Sequence, residues 1–212
     1  MLRSQVPPVA PPGGRMRIVG ILLAAGRGTR FGGDKLVAPL PHASHGVPAG
    51  TPLGVAAAMH LVEALPDSVA VVRPGDRLTE ALQRAGARIV ECTNADDGMG
   101  ASLACGVAAT AGAGGWIIVL ADMPWIAPAT IRAVASAIRN GADIVAPVHR
   151  GERGHPVAFA ARHGHALRAL TGDAGARSLL AAHAAAVTLL DVDDAGVVRD
   201  VDTRAALAAG DG

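Results

Sequence analysis

The chain has few aromatic residues and no excess of either charge. Of its 212 residues, two are Phe, two are Trp and none is Tyr. Proteins that stack single-stranded nucleic acid on aromatic side chains need more of them, so this class is excluded. The 19 Lys and Arg residues nearly balance the 18 Asp and Glu residues, which gives a formal net charge of +1. Because there is also no basic run, we expect no nucleic-acid or membrane partner.

Cysteines and targeting signals are also scarce. Cys92 and Cys105 are too few for a disulfide framework and lack metal-site spacing, so we expect reduced, buried thiols. Residues 1–16 contain four prolines but no apolar run like that of a secretory signal, and we expect a flexible tail. Glycines interrupt the uncharged stretch 101–121, which favours helix, turn and strand over a membrane span. The protein should be soluble and cytoplasmic.

What remains is a globular composition rich in small side chains. Half of the residues are hydrophobic, and 46 Ala and 27 Gly suit close packing of helices on a sheet. We predict one domain over residues 17–212, since no linker divides this range. Hydrophobic patterning predicts strands at residues 17–23, 69–72, 87–90, 116–120, 143–147, 155–160, 187–192 and 197–201. It predicts helices at residues 51–65, 77–85, 99–109, 128–139, 166–170, 177–185 and from Thr203 onward.

The alternation of strands and helices in the first half predicts an α/β fold. It indicates a mostly parallel sheet with helices on both faces. Ligands of such sheets bind outside the carboxyl ends of the strands. The loops after the first and fourth predicted strands are therefore the places to look for a site.

The loop after the first strand combines glycines with cations. Residues 23–35 read L-A-A-G-R-G-T-R-F-G-G-D-K. Glycines let the backbone approach a phosphate closely, and three cations can neutralise a polyphosphate. The dinucleotide fingerprint does not fit, because Phe31 stands where its third glycine belongs. The P-loop does not fit either, because Leu36 follows Lys35 where that motif needs Ser or Thr. A plain glycine-rich surface loop is the alternative.

Five further segments have recognisable patterns. They are A-D-M-P at 121–124, N-A-D-D-G-M-G-A-S-L at 94–103, G-H-P at 154–156, G-D-A-G-A-R at 172–177 and D-V-D-T at 200–203. An aspartate at the carboxyl end of a strand can hold a hard cation beside phosphates. Ordinary helix caps and loops are the alternative for each segment.

Taken together, these patterns resemble the molybdenum cofactor guanylyl- and cytidylyltransferase superfamily. The loop L-A-A-G-x-x-x-R-F-G-x-D-K is similar to its signature, and the resemblance runs from about residue 17 to residue 207. It implies a Rossmann-like, three-layer nucleotidyltransferase fold. It also implies transfer of a nucleoside monophosphate from a triphosphate to a phosphorylated acceptor, with release of pyrophosphate.

The resemblance also implies roles for individual residues. Lys35 would lie near the nucleotide phosphates, Arg27 and Arg30 would hold the leaving pyrophosphate, and Asp122 would complete the catalytic set. Mg²⁺ would be held by Asp122 and Asp202. The nucleotide would be bound by Leu23, Ala24, Ala25, Gly26, Gly28, Gly98, Gly100 and Ser102. The acceptor would be bound by His155, Asp173 and Arg177.

The start of the loop helps to choose the nucleotide. Members that resemble the cytidylyltransferases have L-A-A-G, whereas the guanylyltransferases tend towards L-A-G-G. The methyl group of Ala25 would narrow the space beside the base and favour a pyrimidine. The resemblance therefore implies CTP and the molybdopterin cofactor as substrates, with a molybdoenzyme or its chaperone as a further partner.

Three other functions stay open from the sequence. One is a transferase of the same fold that uses GTP or a different phosphorylated acceptor. Another is a protein that binds nucleotide and delivers cofactor without chemistry. A dehydrogenase is disfavoured, because the second strand ends in Val72-Arg73-Pro74 without an acidic residue for a ribose.

Residues 41–50 have no counterpart in the family's usual short link. We expect them to form a mobile lid or an interaction loop. His42 and His45 have a spacing that could bind a metal, with a solvated loop as the alternative.

Overall fold

The structure is a computed structural model that describes residues 16–26, 28, 31 and 33–208. The predicted tail lies outside the described residues except for Met16. The described strands are β1 Ile18–Leu23, β2 Ser68–Val72, β3 Arg88–Glu91, β4 Gly115–Leu120, β5 Ile144–His149, β6 Glu152–Arg153, β7 Val157–Ala160 and β8 Val187–Asp191. The described α-helices are α1 Leu53–Ala64, α2 Thr79–Arg84, α3 Met99–Ala109, α4 Pro128–Arg139, α5 Gly164–Arg168, α6 Arg177–Ala182 and α7 Arg204–Ala208.

The strands form one mostly parallel sheet, as predicted. Its order is β3-β2-β1-β4-β7-β5-β6, and β8 pairs with β5. β1 is parallel to β2 and β4, whereas β7 is antiparallel to both of its neighbours, β4 and β5. Leu23 of β1 lies opposite Val71 of β2 and Leu120 of β4. The carboxyl ends of these three strands therefore lie side by side.

Helices cover both faces of the sheet, which confirms the predicted three layers. Adjacent residues of β1 point to opposite faces, so Leu22 packs in the same cluster as residues of α1 and α4, while Ile21 packs with α3 and α5. A Cβ at Gly106 of α3 would lie 2.8 Å from Cγ2 of Ile21. This close approach of α3 to the sheet explains part of the high content of Ala and Gly in the chain. None of the described helices has the length and apolarity needed to cross a bilayer.

The segment predicted as a strand at residues 197–201 does not pair with the sheet. Its first two residues belong to a 3-10 helix, Ala195–Val198, which the Asp194 side chain caps by accepting from the Gly196 amide. The amide of Val201 then donates to the carbonyl of Asp122 at 3.0 Å. The segment therefore crosses the carboxyl ends of the strands instead of extending the sheet.

The expectation of free thiols is wrong for this structure. Cys92 and Cys105 form a disulfide, with their Cα atoms 5.9 Å apart. Cys92 follows β3 and Cys105 lies in α3, which packs beside that strand. The fold brings the two residues together although their spacing in the sequence matches no disulfide pattern.

Candidate active site

A cleft of about 770 Å³ opens at the aligned carboxyl ends of β1, β2 and β4. It contains most of the residues expected from the sequence. Those that line it are Leu23, Ala25, Gly26, Gly28, Lys35, Gly98, Ser102, Asp122, His155, Asp173, Arg177 and Asp202. Segments far apart in the sequence thus converge on one concave surface, where a ligand site is expected in this class of fold.

The loop after β1 turns back on itself and places Lys35 in the cleft. Gly28 has a φ of +58°, and a Cβ there would lie 3.0 Å from the carbonyl oxygen of Gly33. Leu36 is buried and anchors the short 3-10 helix Lys35–Val37. The Lys35 Nζ donates to Oδ2 of Asp122 at 2.7 Å and lies 3.5 Å from Oδ1 of Asp202. The only lysine of the chain is therefore held between two carboxylates.

Three carboxylates meet beside Lys35. Oxygens of Asp122, Asp200 and Asp202 all lie within 4.8 Å of one another. Asp122 lies two residues after the end of β4, and the hydrogen bond from the amide of Val201 to its carbonyl brings Asp200 and Asp202 close to it. Burial, and then the negative charges of Asp202 and Asp122, raise the pKa of Asp200 above its ordinary value. Mutual repulsion of this kind is what a bound cation relieves.

The chemistry of this cluster fits a divalent cation. Carboxylate oxygens are the ligands preferred by hard ions such as Mg²⁺ and Mn²⁺. Asp200 was not among the metal ligands expected from the sequence. Its signal is the spacing D-V-D, because residues two apart on an extended segment project to the same side.

Two of the expected nucleotide-binding residues, Ala24 and Gly100, do not line the cleft. Ala24 is 2% exposed in the core, where its amide donates to the carbonyl of Val71. The amide of Gly100 donates to the carbonyl of Gly172, and a Cβ at Gly100 would lie 2.6 Å from the Thr171 carbonyl oxygen. Both small residues therefore serve close packing, which shapes the cleft from behind.

Gly98, which lines the cleft, packs against the same turn at residues 171–172 as Gly100. It has a φ of +107°, and a Cβ there would lie 2.4 Å from the carbonyl carbon of Gly172. No L-residue fits this position without a shift of backbone. The turn before α3 and the turn that contains Asp173 consequently form one continuous wall.

His155 enters the cleft because β7 runs antiparallel to β4. The first residue of β7, Val157, lies opposite Ile118, so the residues preceding it reach the end of the sheet where β4 finishes. The amide of His155 donates to the Val197 carbonyl at 2.8 Å. Burial lowers the pKa of His155 despite the nearby negative charge of Asp122. Its buried Nδ1 has no hydrogen-bond partner among the described residues.

One cleft residue without an expected role is Arg73, immediately after β2. Its Nε donates to the carbonyl of Ala25 at 2.7 Å, and its Nη1 forms an ion pair with Asp96. From the sequence, this strand end was considered only as a place for an acidic residue that would bind a ribose. A cation after a central parallel strand is the signal that would have found it.

Residues 20–187, most of the chain, match the family described as the MobA-like NTP transferase domain. The chain belongs to this family. The protein is thus a nucleotidyltransferase. Its sheet and helices have the arrangement of other nucleotidyltransferases of known structure.

Several proteins resemble this transferase over nearly their whole length. The purine catabolism protein PucB of Bacillus subtilis (strain 168) is 28% identical over 200 residues, covering 88% of this chain and 92% of PucB. Rv0371c of Mycobacterium tuberculosis H37Rv is 26% identical, with a TM-score of 0.72 over 92% of this chain and 97% of the other. A second Rv0371c structure, a complex with manganese, has 26% identity and a TM-score of 0.69, covering 91% of this chain and 96% of the other. A nucleotidyl transferase from Methanothermobacter is 21% identical, with a TM-score of 0.72 over 91% of this chain and 94% of its own, and supports the fold alone.

Arg27 and Arg30 lie outside the described residues of the transferase. Their expected contact with pyrophosphate remains a prediction. Lys35, Asp122 and Asp202 are brought together, whereas Asp173 and Arg177 lie further along the wall of the same cleft.

The loop at residues 41–50 is fixed to the body of the transferase and lines no part of the main cleft. Ser44 and Val47 exchange two backbone hydrogen bonds, and Nε2 of the buried His60 donates to the Ser44 carbonyl at 3.0 Å. Nε2 of His45 donates to the carbonyl of Trp125 at 3.1 Å. His42 and His45 border a separate cavity of about 280 Å³, and neither belongs to a metal-ligand cluster of the described residues. In this structure the loop therefore lies beside the main cleft, and its expected role as a lid or an interaction loop remains a prediction.

Proposed function

We propose that the protein transfers CMP from CTP to the terminal phosphate of molybdenum-bound molybdopterin, releasing pyrophosphate. The observation on which this depends is the meeting of Lys35 with Asp122, Asp200 and Asp202 inside the cleft. A single ammonium beside clustered carboxylates suits a polyanionic substrate that arrives together with a divalent cation. The family's description and the resemblance of the motifs support the same reaction class.

We propose Mg²⁺ as the cation, held by Asp122 and Asp202 with Asp200 as a third ligand. The manganese complex of Rv0371c supports a divalent ion of this kind in a similar protein. When bound, such an ion neutralises charge on the nucleotide phosphates and on the departing pyrophosphate. Lys35 supplies a further positive charge to the same phosphates.

The reaction needs positioning more than acid–base chemistry. An oxygen of the acceptor's phosphate attacks the α-phosphorus of CTP, a new phosphorus–oxygen bond forms, and the bond to pyrophosphate breaks. A phosphate monoester is already anionic, so no strong general base is required. We propose that Arg27 and Arg30 hold the departing pyrophosphate, while Lys35 orients the triphosphate.

The acceptor would bind along the wall formed by His155, Asp173 and Arg177. Because burial lowers the pKa of His155, its imidazole is neutral at neutral pH and can accept or donate a hydrogen bond without adding charge. Arg177 is exposed on the cleft wall and provides the positive charge. The charged product would then pass in the cytoplasm to a molybdoenzyme or its chaperone.

CTP is the proposed nucleotide because a methyl group at Ala25, which lines the cleft, would leave less room beside the base. Ala25 lines the cleft but is only 3% exposed, and it packs in the core cluster that contains Ile21 and Val71. A purine needs more room beside this position than a pyrimidine. Gly26 and Gly98, which also line the cleft, would complete the nucleotide pocket.

The first test is pyrophosphate release, measured with molybdopterin and with CTP, GTP, ATP or UTP in turn. We expect turnover with CTP in Mg²⁺ and none after chelation. Preference for GTP would contradict the choice of nucleotide. Tight CTP binding without pyrophosphate release, whatever phosphorylated acceptor is supplied, would instead indicate a cofactor-delivery protein.

Asp200→Asn is expected to stabilise the metal-free protein while weakening its response to metal. The substitution removes one of three clustered negative charges. We expect the melting temperature in EDTA to rise by roughly 1–2 °C, because partly exposed charges contribute modestly to stability. The further rise in melting temperature on adding Mn²⁺ should be smaller than in the wild type.

Asp193→Asn is the matched control for this experiment. Asp193 is exposed and lies outside the carboxylate cluster. Its replacement by asparagine changes the net charge of the protein by the same amount as Asp200→Asn but leaves the cluster intact. A lower melting temperature for Asp200→Asn in EDTA, or an unchanged response to Mn²⁺, would contradict the role assigned to the cluster.

A further inference from the structure

Arg73 joins two segments that line the cleft. Its Nε donates to the carbonyl of Ala25 at 2.7 Å, and its Nη1 pairs with the Asp96 carboxylate. Ala25 belongs to the loop after β1, and Asp96 belongs to the 3-10 helix Ala95–Asp97 before α3. One guanidinium therefore spans from the loop after β1 to the segment that leads into α3.

The two segments are anchored on different parts of the fold. The amide of Ala24 ties the first loop to Val71 of β2. The other segment is fixed at its start by the disulfide between Cys92 and Cys105 and at its end by the contact of Gly98 with Gly172. Arg73 holds Ala25 and Asp96 at a fixed separation between these anchors.

We propose that Arg73 is a positioning residue that sets the width of the nucleoside end of the cleft. It thereby controls triphosphate affinity and base selectivity, and it takes no part in bond making or breaking. The planar guanidinium suits this role, because it can bond a carbonyl and a carboxylate at the same time. The Arg73 side chain is 25% exposed and that of Asp96 is 59% exposed, so water reaches the ion pair from the Asp96 side while the bond to Ala25 is better shielded. This inference rests on the proposed function.

Arg73→Ala should raise KM for the triphosphate by about 10- to 100-fold, since charge-assisted bonds that order the site are lost. We expect kcat to stay within about threefold, because Lys35 and the carboxylates are untouched. The ratio of kcat/KM between the preferred nucleotide and the others should fall about tenfold as the pocket widens. Arg73→Lys should rescue only part of the loss, because an ammonium lacks the planar fork.

Asp96→Asn provides a second variant that keeps the bond from Arg73 to Ala25. It removes the charge from the ion pair and should raise KM in the same direction. Arg132→Ala is the matched control, because Arg132 forms an exposed ion pair with Glu63, with 3.3 Å between Nη1 and Oε1, and lines no part of the cleft. Thermal unfolding of each variant establishes that the fold is retained.

The measurements are steady-state kinetics and calorimetric titration with each triphosphate. A raised KM and dissociation constant with unchanged kcat, in both Arg73→Ala and Asp96→Asn, supports the inference. An unchanged KM, or a loss confined to kcat, overturns it while the wild type still binds and turns over nucleotide. A wild-type protein that binds no triphosphate overturns the proposed function and this inference together.

Discussion

Replacing Lys35 with alanine is expected to lower kcat/KM for nucleotidyl transfer by a factor on the order of 10²–10³. The ammonium lies 2.7 Å from Asp122 and 3.5 Å from Asp202, in the part of the cleft assigned to the triphosphate. Without it, the α-phosphorus is less well oriented and the leaving group loses a neutralising charge. Pyrophosphate release under saturating metal is the measurement.

Lys35→Ala should also destabilise the metal-free protein, since three carboxylates then face one another without their ammonium partner. Added Mn²⁺ should restore much of the lost stability. Near-native turnover in this variant would remove Lys35 from the catalytic set. If the variant is unfolded and Mn²⁺ does not restore it, its loss of activity reflects loss of the fold. Chemical modification of Lys35 in the wild-type protein then tests the role of the ammonium.

The composition of the chain allows this experiment without a substitution. Lys35 is the only lysine among the 19 Lys and Arg residues, so a lysine-selective acylating reagent has one side chain to modify. Acylation removes the charge and should abolish turnover, whereas reductive methylation keeps the charge and should preserve part of it. Bound CTP should slow both modifications. Full activity after complete acylation of Lys35 would contradict its proposed role.

Asp122→Asn is expected to reduce kcat by a factor on the order of 10³. Asparagine keeps the shape of the side chain but removes the negative charge nearest to Lys35. The backbone carbonyl that accepts from Val201 is unaffected, so the fold around the site should be retained. Turnover across a range of Mg²⁺ concentrations and calorimetric titration with Mn²⁺ are the measurements.

Asp193→Asn serves again as the control for charge alone. We expect it to keep wild-type turnover and metal affinity. If Asp122→Asn binds Mn²⁺ as tightly as the wild type, the ion is held elsewhere. If its turnover is also unchanged, Asp122 has no part in the reaction.

The part of the site that lies at the carboxyl ends of β1 and β4 was the most predictable from the sequence. β1 and β4 are apolar strands, and Lys35 and Asp122 lie in the loops that follow them. Lys35 and Asp122 could therefore be assigned to one end of a sheet before any contact was known. Local composition and strand order were sufficient for this part of the site.

Other features depend on contacts that local patterns do not encode. The segment before α7 was predicted as a strand because of its valines, but the Asp194 cap and the hydrogen bond from Val201 direct it across the sheet. The disulfide depends on how α3 returns beside β3. Arg73 makes its two contacts only because the fold brings the first loop and Asp96 to either side of it.

The positions of the three carboxylates along the chain have a consequence for synthesis of the protein on the ribosome. Asp122 emerges from the ribosome with β4, whereas Asp200 and Asp202 follow only after the last strand, β8. A nascent chain with all eight strands in place thus still lacks two of the groups that would capture a cation. A chain that ended between Val198 and Asp200 would keep all eight described strands but would have only one of the three clustered carboxylates, Asp122.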